Sequence, residues 1–199
     1  MVNNAVVSHN SVNELYYLEE VDSTNTWAKA NLDKFGPVGA VYTTSQTAGR
    51  GRRGHTWINA SGQALYYTVV LKTELAQPES LPLFASMAVA DALEQRYGTS
   101  LALQGIAVDP AADAAALAES MTNFGFDRAL YGFEREGFAA IRDAYKARCV
   151  NLGRHVIFDG GEGTALDVDE EGRLVVQGAE GSTHVFTGEV SVHGIYGAV

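Results

Sequence analysis

The chain has 199 residues, 46% of them hydrophobic and 19% charged, which fits one folded domain, or one domain with a small appendage, and excludes a disordered chain. No stretch reaches the ~20 apolar residues that span a bilayer, and the single cysteine, Cys149, excludes an internal disulfide or a cysteine-based metal cluster. A formal net charge of −10 argues against a general role on nucleic acid, although Arg50, Arg52 and Arg53 fall within four residues of one another.

Residues 1–20 are polar and lack the basic start, apolar run and cleavage site of a secretory leader, so a cytoplasmic protein is expected. Residues 15–21 suit a strand. Asp22, Ser23 and Thr24 offer helix caps before Trp27, Ala28, Ala30 and Leu32, and Gly36 and Pro37 end that helix. A short buried strand follows over 39–44, then a loop over 46–55 with three glycines. Residues 64–72 are rich in β-branched and aromatic side chains and form the strongest strand. A helix over 81–97 carries Leu83, Met87, Ala90, Leu93 and Tyr97 on one face. Residues 101–108 are a short apolar run, and the alanine-rich stretch after it reads as helix through Met121. A second amphipathic helix is expected over 133–152, with Phe138, Ile141, Tyr145 and Val150 in the core.

Beyond Gly153 the period changes. Short strands over 156–158, 164–167, 174–177, 184–187 and 189–193 alternate with turns at Gly160 and Gly161, at Gly172 and at Gly181, the pattern of a small β-barrel. The acidic run from Asp167 to Gly172 begins like a calcium loop, but its twelfth position is Gly178, so it reads as a hairpin turn. The five histidines, His9, His55, His155, His184 and His193, are too scattered to form a ligand pair.

Chemistry concentrates in Gln46-Thr47-Ala48-Gly49-Arg50-Gly51-Arg52-Arg53-Gly54-His55-Thr56-Trp57. Its glycines let backbone approach a ligand, its arginines offer forked donors to a phosphate or carboxylate, and Trp57 offers a stacking surface or a core anchor. Charge alone favours a solvated basic loop over an anion site, and RNA-binding segments share the composition.

Set between a strand and Ser61-Gly62-Gln63-Ala64-Leu65-Tyr66-Tyr67-Thr68, this string resembles the adenylate-binding loop and following strand of the biotin–protein ligases. Asp22-Ser23-Thr24-Asn25 is similar to the family's motif at the first helix, whose side chains help hold biotin. Taken alone, Ser23, Thr24 and Asn25 read equally well as a helix cap. Gly137 and Phe138 with Tyr145, Cys149, Leu152 and Gly153 resemble the last helix of the family's catalytic domain and its exit. Gly188-Glu189-Val190-Ser191 resembles a signature of its C-terminal barrel.

The resemblance implies an α+β fold: a class II synthetase-like mixed sheet with flanking helices over 12–152, shortened near 98–105, and a small SH3-like β-barrel over 153–199. It implies an enzyme that joins biotin and ATP, with Mg2+, into biotinyl-adenylate and passes biotin to a lysine on a carboxylase's biotin carboxyl carrier domain. By position, Ser23, Thr24, Asn25 and Gln46 contact biotin. Gly49, Arg50, Gly51, Arg52 and Arg53 line the biotin–adenylate junction, with Arg50 and Arg52 catalytic, and Trp57 sits by the adenine. No protein-held metal and no membrane partner are implied. His55 stands where the family usually has another arginine.

Full members also carry a Lys-Trp-Pro-Asn-Asp strand and a second lysine that meets biotin and the reacting phosphate. Here Leu101 follows the long helix almost at once, and the only lysines are Lys29, Lys34, Lys72 and Lys146, none in a matching context. A degenerate relative that binds biotin or the carrier is therefore the alternative; a lipoate or octanoyl transfer enzyme is disfavoured by the arginine loop. Loss of central strands would expose sheet edges that a homodimer would cover, an expectation that a monomeric light-scattering mass would oppose. About fifteen residues precede the first strand, too few for a helix-turn-helix, so no nucleic-acid partner is expected.

Overall fold

The computed structural model describes residues 13–49, 64–98, 110–186 and 191–192. These fall into two compact units, with divisions at Glu74 and Leu75, at Met87 and Ala88 inside the long helix, and at Leu130 and Tyr131.

The first unit is built on a mixed sheet in the order β1 (Glu14–Tyr17), β2 (Val38–Thr43), β3 (Tyr66–Leu71), with β1 parallel and β3 antiparallel to the central β2. Every residue of β2 is buried. Its sequence, Val-Gly-Ala-Val-Tyr-Thr, suits a strand covered on both faces. Because side chains alternate along a strand, Val41 points to one core and Ala40 and Tyr42 to the other. On the first face Val41 joins Leu18, Val21, Phe35, Val70 and Ala28 of α1 (Thr24–Ala30). On the second, Leu15, Ala40 and Tyr42 meet Ala114 and Ala118 of the alanine-rich helix Pro110–Glu119. That helix is α3; α2 is the long helix Leu81–Tyr97.

From α3 the chain continues through a π-helical segment, Ser120–Asp127, into α4 (Arg128–Glu136). Two contacts seat the π segment. The ring of Phe126 stacks on Tyr67, centroids 6.4 Å apart. Gly125 lies so close to α2 that a Cβ there would come within 2.3 Å of the Ala88 carbonyl oxygen, so a side chain is sterically barred.

Several elements differ from the sequence reading. The first strand is shorter than expected, and Val21 makes only an isolated bridge. The first helix stops at Ala30 because the side-chain amide of Asn31 donates to the Trp27 carbonyl at 2.8 Å, an oxygen the next helical turn would have needed; a 3-10 turn, Leu32–Lys34, follows. Along α2 the buried residues are Leu83, Phe84, Met87, Ala88 and Ala92, while Ala90, Leu93 and Tyr97 are half-buried. Leu83 and Met87 of the expected face are buried, and a fully buried i, i+4 row, 84-88-92, runs beside them. The single helix expected over 133–152 is broken at Gly137, where φ is +58° and a Cβ would meet the Gln77 side chain at 2.5 Å. A 3-10 turn, Gly137–Ala140, and α5 (Arg142–Arg148) replace it. Phe138 is fully buried as expected, but Val150 is exposed. The apolar run over 101–108 lies outside the described residues.

The second unit carries an antiparallel sheet in the order β7-β6-β5-β4-β8, from β4 (His155–Phe158), β5 (Gly161–Val168), β6 (Leu174–Gly178), β7 (Gly181–Val185) and β8 (Ser191–Val192). Val156, Ala165, Val168, Leu174 and Val176 close on Leu83 and Phe138 to form its core. A bulge between Ala165 and Asp167 turns Leu166 outward. Glu189 and Val190, expected in the last strand, lie outside the described residues.

The acidic run after β5 is a hairpin turn, as its sequence predicts. Asp169 accepts the backbone N–H groups of Glu171 (3.0 Å) and Arg173 (2.8 Å), the Arg173 Nε–H (2.7 Å) and His184 Nδ1 on β7 (2.7 Å). Gly172 completes the turn with φ of +82°. Burial pushes the Asp169 carboxyl upward, but the hydrogen bonds from His184, Arg173 and Glu171 outweigh it and hold the pKa at about 2. A carboxyl held below its ordinary value of about 4 stabilises the fold above that pH and loses the contribution as pH falls through its folded value. The Asp169→Asn variant should therefore unfold at lower urea than the wild type near neutral pH, with the gap closing between about pH 4 and pH 2. Circular dichroism at a series of pH values measures it, and a gap independent of pH would contradict the assignment.

Candidate functional site

The segment after β2 is tied to the segment before α1 by backbone. Val21 bridges Gln46 in parallel, the Val21 N–H donates to Ser45, the Thr47 N–H to Val21 and the Ala48 N–H to Asp22, at 3.2, 2.9 and 2.7 Å. This places Gln46 beside the first turn of α1, although 22 residues separate it from Thr24.

Ser23 occupies the N-cap position of α1, but its side chain makes no capping bond. The cap comes from the neighbouring segment that Val21 bridges. Oε1 of Gln46 accepts the Thr24 N–H at 2.9 Å and the Thr24 hydroxyl at 3.2 Å. One of the N–H groups that a helix start leaves without an internal partner is thereby satisfied by a distant side chain. Thr68 of β3 adds its hydroxyl to Oγ1 of Thr24 at 2.9 Å.

Ser23, Thr24 and Gln46 are 7%, 4% and 8% exposed, so this polar cluster lies within the folded unit. Buried polar groups persist where their bonds are made. The carbonyl oxygen of Gln46 is fully used, whereas its amide nitrogen has no partner among the described residues. An unpaired amide on a held side chain is a donor available to a ligand's acceptor.

Of the residues singled out in the sequence, the structure brings Ser23, Thr24 and Gln46 together. Asn25 is exposed on α1, next to the cluster in the chain. Gly49 is half-buried and is the last described residue before the arginine loop. Arg50, Gly51, Arg52, Arg53, His55 and Trp57 lie outside the described residues. Thr68 was not singled out. A hydroxyl amid the aromatic and β-branched residues of β3 was the signal that could have found it.

The opposite face of β3 carries a second hydrogen-bonded chain. The Thr122 hydroxyl donates to the Ala118 carbonyl at 2.7 Å, so Thr122 accepts from the Tyr67 hydroxyl at 2.8 Å. Burial pushes the Tyr67 phenol well above its ordinary range, against the opposing effect of Thr122, and keeps it a donor. Among the described residues no group of three or more His, Cys, Asp or Glu could hold a metal, and no helix is long and apolar enough to cross a membrane.

Residues 17–112 match the profile of the Biotin/lipoate A/B protein ligase family, and residues 152–192 match the Biotin protein ligase C terminal domain. The first match contains Thr24, Gln46 and Thr68; the second spans β4 to β8. Among solved structures, the biotin protein ligase from Aquifex aeolicus in complex with biotin and ATP is similar in fold, with a TM-score of 0.70 at 20% identity over 90% of this chain and 98% of that one. The apo form of the Aquifex protein gives a TM-score of 0.67 at 17% identity over the same shares. The expected fold class, a mixed sheet with flanking helices followed by a small β module, is the fold observed.

Replacing Gln46 by leucine would leave the N–H and hydroxyl of Thr24 buried without their acceptor. The expected loss is about 1–3 kcal/mol of stability, read as a lower urea midpoint. A midpoint equal to the wild type would contradict the capping role.

Proposed function

Because the chain belongs to the biotin protein ligase family, we propose that it is a biotin–protein ligase, joining biotin to ATP and passing the biotinyl group to a lysine of a carboxylase's carrier domain. In the first step the biotin carboxylate attacks the α-phosphorus of MgATP, the bond to the β-phosphate breaks, and pyrophosphate leaves. In the second, the neutral amine of the carrier lysine attacks the acyl carbon, AMP departs, and the amine gives up a proton. The magnesium ion travels with the nucleotide as part of the substrate.

Such chemistry asks the protein to hold two reactants in line and to neutralise developing phosphate charge. In this proposal Ser23, Thr24, Asn25 and Gln46 hold biotin. Gly49 and Gly51 let the backbone close on the junction, Arg50, Arg52 and Arg53 carry the positive charge, and Trp57 stacks by the adenine. The observation that supports it most is the buried Thr24–Gln46 pair, immediately ahead of the arginine loop in the chain, with a donor left over on Gln46.

A separate observation favours a second reading. Lys34 lies over the Trp27 ring at 5.2 Å, Lys72 donates to the Phe35 carbonyl, Lys146 pairs with Asp167 at 2.5 Å, and Lys29 is exposed in the last turn of α1. None joins the Thr24–Gln46–Thr68 cluster. In that reading the chain holds biotin or the carrier without forming the adenylate.

Biotin-dependent release of pyrophosphate from MgATP separates the two. A ligase releases pyrophosphate, and Arg50→Ala lowers the rate by roughly a hundredfold or more. No release beside an active family member would discard the enzyme and leave the binding protein.

A further inference from the structure

The cluster described above has a direction, and the direction starts on β3. Thr68 gives its hydroxyl proton to Oγ1 of Thr24 at 2.9 Å. Thr24 in turn gives its own hydroxyl proton to Oε1 of Gln46 at 3.2 Å and its backbone N–H to the same oxygen at 2.9 Å. A backbone N–H is a donor only, so the end of the Gln46 amide that faces it must be the oxygen. That oxygen then has both lone pairs occupied, and the nitrogen, with two protons, is turned away from Thr24.

The part played by Thr68 is to fill the acceptor side of the Thr24 hydroxyl. A hydroxyl rotates to suit its neighbours. With a donor already seated on its oxygen, the Thr24 proton is directed to Gln46. Thr68 does this from a half-buried position in the middle of β3, paired with Val41 of the fully buried β2.

We propose that Thr68 is a positioning residue: by directing the Thr24 hydroxyl proton to Gln46 it adds a second bond to the oxygen that the Thr24 N–H already faces. It so steadies Gln46 with only its donors turned outward, and the site selects a ligand that brings a carbonyl oxygen to that point. If the ligand is biotin, which rests on the function proposed above, the matching group is the ureido carbonyl. A site of opposite polarity would select the ureido N–H groups instead.

The test compares the full chain with Thr68→Val, which keeps the shape and removes the hydroxyl, and Thr68→Ser, which keeps the hydroxyl. Calorimetric titration with biotin should show binding roughly tenfold weaker in Thr68→Val and close to wild type in Thr68→Ser. The side-chain amide signals of Gln46 in a nitrogen-15 spectrum should move in Thr68→Val and stay in place in Thr68→Ser. Thr68→Ala serves the same purpose if the valine variant does not fold. A purely structural role would lower the melting temperature while leaving affinity and amide signals alone, and that result overturns the proposal. If the wild type binds no biotin but the Gln46 signals respond to Thr68→Val alone, the positioning role stands and the ligand assignment falls. Gln46 signals that ignore both substitutions would remove the positioning role whatever the affinity.

Discussion

The two hydrogen bonds that Thr24 gives to the side-chain oxygen of Gln46, with the one it accepts from Thr68, hold together three pieces of chain that nothing local would assemble. α1 has only seven residues, too few to persist alone in water, and its own N-cap side chain contributes no bond. It stands because Gln46 caps it from the far side of a crossover and because Ala28 and Trp27 pack onto the sheet. Backbone bonds between Val21 and Ser45, Thr47 and Val21, and Ala48 and Asp22 fix the path of the chain as it leaves β2.

β3 serves both of the faces it separates. Thr68 looks toward α1 and completes the polar cluster, while its neighbour Tyr67 looks the other way, bonded to Thr122 and stacked on Phe126. The π-helical turn of the second layer is thereby registered on the same strand that orders the polar cluster. The close approach of Gly125 to Ala88 locks that turn against α2 from its other side. A register slip of one residue in β3 would exchange Thr68 and Tyr67 and undo both arrangements at once.

What could be read from sequence divides along physical lines. Periodicity was enough for β2, β3, the bounds of α2 and the antiparallel meander of the second unit, because each is long or is bounded by glycine turns. The arrest of α1 by Asn31 and the break at Gly137 depend on particular side-chain contacts, with the Trp27 carbonyl in one case and with Gln77 in the other. Hydrophobic pattern carries no information about either. The resemblance singled out Ser23, Thr24 and Gln46 one by one, but the bond that unites Thr24 and Gln46 spans 22 residues, and Thr68 lies 44 residues from Thr24. Ser23 and Thr24 sit where a helix cap was expected; the cap itself is Gln46, which local reading assigned to a loop.

The chain is acidic overall, yet three of its ten arginines fall within four residues in the segment that follows the buried amide. In the function proposed, the held amide of Gln46 would meet a neutral carbonyl of the ligand and the arginines its anionic group. Thermal unfolding in the presence of increasing biotin tests that arrangement most directly, since a ligand bound only by the folded state raises the melting temperature in step with its concentration. A rise in the wild type that continues with the logarithm of the biotin concentration, much reduced in Gln46→Leu, is the result expected. A melting temperature indifferent to biotin would contradict a biotin site in this chain.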